Sequence, residues 1–248
     1  IVHFGLGNNQ LIDSLIITWP DGKQQKINQV KPNQLLTIAY ANAQHLTPSQ
    51  VAPSPKWVSL LGKKYGLEFL HKQNDLIDFN VQRTIPHKFS QFGPALTVGD
   101  VNGDGLEDIL LGGSPGAPSY QFLQRANGTF VQSELIPATT SGLVEDTSLL
   151  LFDSDGDDDL DLYLARGGFE LAAGDKSYKH ELYLNDGKNK LNVSDKLPAI
   201  TTSGACVRAS DADNDGDLDL FIGGRVVPGQ YPLAPTSYLL RNDDGIFT

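Results

Sequence analysis

The chain is poor in the residues that would make it a cross-linked, membrane-spanning or nucleic-acid-binding protein. Cys206 is the single cysteine among 248 residues, so no internal disulfide forms, and its apolar neighbours favour a buried strand position over a reactive thiol. There is no methionine, signal peptide or apolar run long enough to cross a membrane. The net charge of -11 comes without a basic stripe, which argues against a nucleic-acid partner.

The acidity is concentrated in three nine-residue acidic loops, residues 100–108, 153–161 and 211–219, which hold half of the 30 acidic residues. Oxygen-bearing side chains recur at positions 1, 3, 5 and 9 of each loop, a spacing that lets alternate side chains and a position-7 carbonyl converge on one hard cation. The sequence therefore predicts about three Ca²⁺ sites. The predicted side-chain ligands are Asp100, Asn102, Asp104, Asp108, Asp153, Asp155, Asp157, Asp161, Asp211, Asp213, Asp215 and Asp219, and the carbonyl donors are Leu106, Asp159 and Asp217.

Position 6 sets the middle loop apart from the other two, and position 12 sets all three apart from an EF-hand. Position 6 is Gly105 and Gly216 in the outer loops but Asp158 in the middle one, where a left-handed backbone is expected, as aspartate tolerates it better than most residues. An EF-hand places a bidentate glutamate at position 12. Here position 12 is Leu111, Leu164 and Ile222, each in an apolar run typical of a strand, which argues against a helix-loop-helix.

The segments around each acidic loop predict four strands. An apolar strand enters the loop, another leaves it, and a hairpin follows, with Asn-Gly or Asp-Gly turns near 127–128, 185–187 and 244–245. Four strands in a repeat of roughly 55 residues are typical of a propeller blade. We therefore predict an all-β fold, a partial β-propeller of about three blades over 57–248. Because propellers typically need about four to eight blades, the remaining blades are expected from a longer, exported chain.

The N-terminal part differs from the repeats. Strand candidates near 15–19, 26–30 and 35–40, with a turn at Pro20-Asp21-Gly22, predict a small β segment over 1–42. Residues 43–56 are rich in Ala, Gln, Ser, Thr and Pro and are predicted to be a linker. Residues 57–92 have no clear period, and we expect extended structure and loops there.

These segments resemble two known families. The first and third acidic loops, each followed by an apolar run ending in Gly-Gly at 112–113 and 223–224, resemble FG-GAP (VCBS-type) repeats, the calcium-binding blades of integrin alpha-subunit propellers and of many bacterial surface proteins. The N-terminal segment resembles the ASPIC and UnbV domain that accompanies such repeats, through His3-Phe4-Gly5-Leu6-Gly7, Asp13, Trp19-Pro20-Asp21-Gly22 and Asn33-Gln34. The resemblance implies a bacterial extracellular, cell-surface or periplasmic location and a binding or scaffold role.

Three functions remain open at this point. The first is a calcium-stabilised module that recognises a protein or a carbohydrate, with its specificity in the variable loops 114–119, 167–180 and 225–236. The second is a propeller-fold lyase or hydrolase with its site on the inter-strand loops, although the sequence contains no grouping with informative spacing. The third is an assembly module whose open blades pair with another chain. The candidate residues for the enzyme are His71, His87, His180, Arg83 and Tyr178.

Overall fold

The structure, a computed structural model, describes residues 4–5, 7, 10–44, 62–137 and 144–248. The chain divides into two compact units, Ile1–Leu60 and Leu61–Thr248. The predicted linker at 43–56 lies outside the described residues except for Ala43 and Gln44.

The N-terminal unit is built around an antiparallel hairpin of β1 (Ile12–Thr18) and β2 (Gln24–Val30), as predicted. The prediction of a third strand near 35–40 is wrong, because residues 35–39 are irregular and lead into a 3₁₀ helix, Tyr40–Asn42. The reason is side-chain packing at the hairpin turn. Tyr40 packs edge-on against Trp19, with ring centroids 5.2 Å apart, and donates a hydrogen bond of 2.5 Å to Asp21.

The second unit contains three consecutive blades of antiparallel strands, and its fold is all-β, as predicted. The first blade is β3 (Leu96–Gly99), β4 (Asp108–Leu111), β5 (Ser119–Gln124) and β6 (Phe130–Ile136). The second blade is β7 (Glu145–Phe152), β8 (Asp161–Gly167), β9 (Glu181–Leu184) and β10 (Asn192–Val193). The third is β11 (Ser203–Ser210), β12 (Asp219–Val226), β13 (Tyr238–Leu240), β14 (Asn242–Asp243) and β15 (Ile246–Phe247).

Strand order in each blade follows the chain. The first two blades are four-stranded meanders, as expected for propeller blades. In the third, β11, β12 and β13 form one sheet, while β14 pairs only with β15. The predicted last hairpin therefore runs between β14 and β15. Cys206 lies on β11 and is half-buried.

The core lies between the blades, and strand β8 shows why. Every residue of β8 is buried, and its side chains alternate between two hydrophobic clusters, as the two-residue period of a strand requires. Leu162 and Leu164 pack with Val101 and Leu110 of the first blade, whereas Tyr163 packs toward the third. The third-blade residues that form the cluster with Tyr163 are Val207, Leu220, Ile222, Leu240 and Phe247. The second blade is thus covered on both faces.

Residues 62–92 before the first blade are irregular, as expected, apart from two four-residue helices, α1 (Gly62–Tyr65) and α2 (Asp78–Val81). Residues 57–61 of the same predicted segment lie outside the described residues. We call residues 72–93 the strap, because they reach loops of the second and third blades. Ile85 and Phe89 of the strap form a small buried cluster with Phe169 and Val226. Gln82 exchanges two hydrogen bonds with the backbone of Tyr231, at 2.6 and 2.9 Å.

Candidate metal centres and a polar pocket

The three acidic loops occupy the same place in each blade. Each connects the first strand of its blade to the second, and position 9 is the first residue of the outgoing strand: Asp108 of β4, Asp161 of β8 and Asp219 of β12. Position 6 has a positive φ in all three loops. Asp158 has φ 69°, as predicted for the middle loop, against 83° for Gly105 and 106° for Gly216.

Each loop wraps around its position-1 carboxylate. In the first loop, Asp100 accepts hydrogen bonds from the backbone N–H groups of Gly103 (2.8 Å) and Gly105 (2.7 Å). Asp153 accepts equivalent bonds from Gly156 and Asp158, and Asp211 from Asn214 and Gly216. These bonds hold the loop in a curl that turns the following oxygen-bearing side chains toward the same centre.

Carboxylates converge in two of the loops. Among the described residues, two groups of three acids have oxygen atoms within 4.8 Å of one another: Asp153, Asp155 and Asp161, and Asp211, Asp213 and Asp215. In the first loop position 3 is an amide, Asn102, whose oxygen accepts a bond of 3.0 Å from the Asp104 N–H. The structure thus brings together positions 1, 3 and 9 in the second loop and positions 1, 3 and 5 in the third.

The position-9 carboxylates have a second set of contacts that the sequence reasoning missed. All three are buried, and each joins its own acidic loop to its own hairpin. One carboxylate oxygen accepts a hydrogen bond from the backbone N–H of loop position 2. The other accepts one from a backbone N–H of a residue at the end of the third strand of the blade or just after it. For Asp219 these donors are Ala212 and Asn242, both at 2.8 Å; for Asp108 they are Val101 (3.2 Å) and Gln124 (2.7 Å), and for Asp161 they are Ser154 (3.0 Å) and Asn185 (2.8 Å).

Two asparagines extend this network from one blade to the next. The Asn185 Nδ2 of the second blade donates to the Val101 carbonyl of the first at 2.9 Å. In the same way, the Asn242 Nδ2 of the third blade donates to the Ser154 carbonyl of the second at 3.0 Å. Both amides are buried. The signal was visible in the sequence as an Asn at the start of each hairpin turn, but it indicated only a turn.

The position-7 residues differ between loops. The Asp217 side chain accepts a bond of 2.8 Å from the Asp244 N–H. In the middle loop the equivalent Asp159 has a buried Oδ1 with no hydrogen-bond partner among the described residues. Burial, together with the nearby charges of Asp157, Asp161 and Asp155, raises the pKa of Asp159 to about 6.

The electrostatics of the loops favour a hard cation. Burial and neighbouring carboxylates raise the pKa of Asp155 and of Asp213. Lys196 and Arg241 form long ion pairs with Asp155 (3.9 Å) and Asp213 (3.6 Å), and these offset only part of the repulsion, because the pKa of both carboxyl groups stays raised. Clustered carboxylates with an orphaned buried oxygen form the all-oxygen donor set that calcium takes. The residues present therefore fit a calcium ion.

A pocket of about 190 Å³ lies at the other end of the first blade. Its walls are the loop 112–118, which includes most of the variable loop 114–119, and residues 68–72; Tyr120 and Gln132 complete it. The other two variable loops pack against the strap through Phe169 and Tyr231. Two of the three loops expected to carry specificity thus serve at least in part to anchor the strap.

The residues considered for an enzyme have separate surroundings. His180 is buried between Tyr163 (2.8 Å) and the Thr202 carbonyl (3.1 Å), and burial lowers its pKa to about 4. Tyr178 is also buried and is hydrogen-bonded to the backbone of Leu171. His87 packs against Phe89 and Phe92. His71, whose Nε2 lies 3.5 Å from the buried Glu145, is the member of this set that lines the pocket; Arg83 does not.

Comparison with known families agrees with this architecture. Residues 95–164, which span the first blade, β7 and the first part of β8, match the FG-GAP-like repeat family. Residues 1–45 match the ASPIC and UnbV family, confirming the second resemblance. No curated protein matches the chain. No helix among the described residues is both long and apolar enough to span a membrane.

Proposed function

We propose that this chain is a calcium-stabilised β-propeller segment of an exported protein, and that the propeller recognises a protein or a carbohydrate at the cell surface. The observation that carries the proposal is the repetition of one acidic loop at the same place in each blade, with carboxylates converging in two of them. A feature repeated in every blade is better explained as a structural link between two strands than as a catalytic centre. Calcium is therefore structural in this proposal.

The residues that would hold calcium are the oxygen donors of the three loops. The ion would neutralise carboxylates that otherwise repel one another at close range. With a dissociation constant near ~0.1 mM and about 2 mM free calcium, both typical of extracellular modules, each site adds about 2 kcal/mol of stability. Removal of calcium from three loops would lower the melting temperature by roughly 12–24 °C.

Apolar side chains on the free faces of the outer blades support the expectation of further blades. Leu96 and Val98 of β3 are 58% and 48% exposed, and Phe221 and Leu239 of the third blade are 47% and 66% exposed. The corresponding faces between the described blades are buried. We infer that blades of the same kind cover both faces in the complete propeller.

The metal proposal is tested by a pair of matched variants in the middle loop. Asp155 belongs to the convergent group, whereas Asp158 is an exposed acid of the same loop outside it. We expect Asp155→Ala, which leaves no oxygen donor at the position that Asn102 occupies in the first loop, to remove one calcium per chain in a calorimetric titration and to reduce the calcium-dependent rise in melting temperature. Asp158→Asn removes the same charge and should keep both. Absence of calcium uptake by the unaltered chain, or equal behaviour of the two variants, would contradict the proposal.

A further inference from the structure

We propose that the pocket of the first blade binds a single neutral sugar residue, for example the terminal unit of a glycan. This inference rests on the recognition role proposed above and names its ligand class. The pocket is built from residues 68–72 on one side and the loop 112–118 on the other, closed by Tyr120 of β5 and Gln132 of β6. All of these residues lie in the second compact unit.

The pocket is separate from the metal loops. The first acidic loop ends where β4 begins, at Asp108, and the pocket loop starts where β4 ends, at Leu111. A strand of four residues spans about 13 Å, so the two sites lie at opposite ends of the blade. A ligand in the pocket would therefore not compete with calcium for oxygen donors.

Internal contacts hold the walls in place before any ligand arrives. Ser114 of the loop donates a hydrogen bond through its Oγ to the Lys72 carbonyl, which ties the two walls together. Phe69 packs edge-on against Tyr120, with ring centroids 5.6 Å apart, and against Phe122 at 6.3 Å. A pre-formed pocket loses little entropy on binding, which favours a small ligand.

The volume limits the size of the ligand. Pockets for drug-sized molecules are about 300–1,000 Å³, whereas this one is about 190 Å³. The rings of Phe69 and Tyr120 give it an apolar side. The His71 Nε2 is buried and lies 3.5 Å from Glu145, so it faces away from a ligand. The hydroxyl of Tyr120 and the amide of Gln132 donate or accept no hydrogen bond within the described part of the chain. The hydrogen-bonding capacity of these two groups is thus available to a ligand.

Charge favours a neutral ligand over an ionic one. The two fully charged side chains in the lining have opposite signs, Glu68 and Lys72, and Glu68 is already paired with Lys63 at 3.5 Å. The chain as a whole carries -11, which disfavours anions. A small molecule with several hydroxyl groups and an apolar C–H face satisfies all of these features, and a sugar residue is the common molecule of that kind.

The test uses saturation-transfer NMR and titration with a panel of monosaccharides (glucose, galactose, mannose, fucose and N-acetylglucosamine) at millimolar concentration, in saturating calcium. We expect at least one sugar to bind. Gln132→Ala and Tyr120→Phe, which each remove one hydrogen-bonding group, should weaken binding about three- to tenfold. Glu134→Ala is the matched control, because Glu134 is exposed on β6, two residues beyond Gln132, and lies outside the lining.

The outcomes separate this inference from the metal proposal. If calcium binds and no sugar does, or if both pocket variants bind sugar like the unaltered chain, the inference is wrong and the metal proposal stands. Binding of free amino acids in place of sugars would also overturn it. If sugar binds in a pocket-dependent way but calorimetry detects no calcium uptake, the inference stands and the calcium role fails.

Discussion

Asn242 offers the sharpest test of how one blade is fastened to the next. It is 2% exposed, and its Nδ2 donates to the Ser154 carbonyl of the second blade at 3.0 Å and to the Leu218 carbonyl at 3.2 Å. Its Oδ1 accepts the Gly245 N–H at 2.9 Å. The change Asn242→Asp keeps the shape of the side chain and the bond from Gly245, and removes only the two donated bonds.

The expected cost follows from those two bonds. Each neutral hydrogen bond contributes about 0.5–1.5 kcal/mol, and a buried carbonyl left without a partner costs about 1–3 kcal/mol. A carboxylate that faces two carbonyl oxygens adds repulsion. We expect a loss of about 3 kcal/mol, which lowers the melting temperature of a chain of this size by roughly 6–12 °C.

The assay is thermal unfolding followed by circular dichroism, in calcium and in chelator, with Asn192→Asp as the control. Asn192 lies on an exposed two-residue strand, where its amide makes one long bond of 3.4 Å to the Lys190 carbonyl, so its replacement adds the same charge without a buried partner. The gap between the two variants should be wider in calcium than in chelator, because calcium in the middle loop would order Ser154, the residue to which Asn242 donates. It should narrow toward low pH, where the introduced carboxyl group becomes protonated and can again donate one bond. Melting temperatures within 2 °C of each other at neutral pH, against the roughly 6–12 °C expected, would refute the inter-blade role of Asn242.

Four other substitutions test three separate parts of the structure. Asp158→Gly should stabilise the calcium-free chain by about 0.5–1 kcal/mol in chemical denaturation, because glycine adopts the left-handed backbone without a Cβ penalty; Gly216→Asp should do the opposite. Burial raises the pKa of Glu170 to about 7, so the folded state favours the protonated carboxyl group. The contribution of Glu170 to the free energy of unfolding therefore falls as pH rises through that value. The melting temperature of Glu170→Gln relative to that of the unaltered chain should therefore rise between pH 5 and pH 8. A difference that stays constant over this range would contradict the prediction. Gln82→Ala, which loses both bonds to Tyr231, should speed amide exchange across the strap while leaving exchange in β8 unchanged.

The repeated elements could be predicted from the sequence because their signals are local. Oxygen donors at fixed spacing, apolar runs on both sides and Asn-Gly or Asp-Gly turns all lie within one blade. The left-handed backbone of Asp158 followed from the position that glycine occupies in the other two loops. Most of the strands and the N-terminal hairpin were found by the same kind of reasoning.

Contacts between distant residues could not be predicted in this way. The strap has no hydrophobic period, because its apolar residues pack against loops of later blades. Its polar contacts are equally distant: Gln82 donates a hydrogen bond to a residue 149 positions away. The wrong third strand at 35–40 has the same origin, since Tyr40 is held by Asp21 and Trp19 across the hairpin. Spacing alone also could not reveal that the position-9 carboxylates already accept backbone hydrogen bonds.

These bonds connect the acidic loops of successive blades into a series. Within a blade, position 9 binds the N–H of position 2, and the asparagine of the next blade binds the carbonyl of that same residue: Ser154 is held by Asp161 on one side and by Asn242 on the other. A cation in the middle loop would fix Asp161 and, through Ser154, the start of the last hairpin in the third blade. Loss of calcium from one loop should therefore loosen the following blade as well as its own. In this account the acidic loop links one blade to the next as well as linking the strands of its own blade.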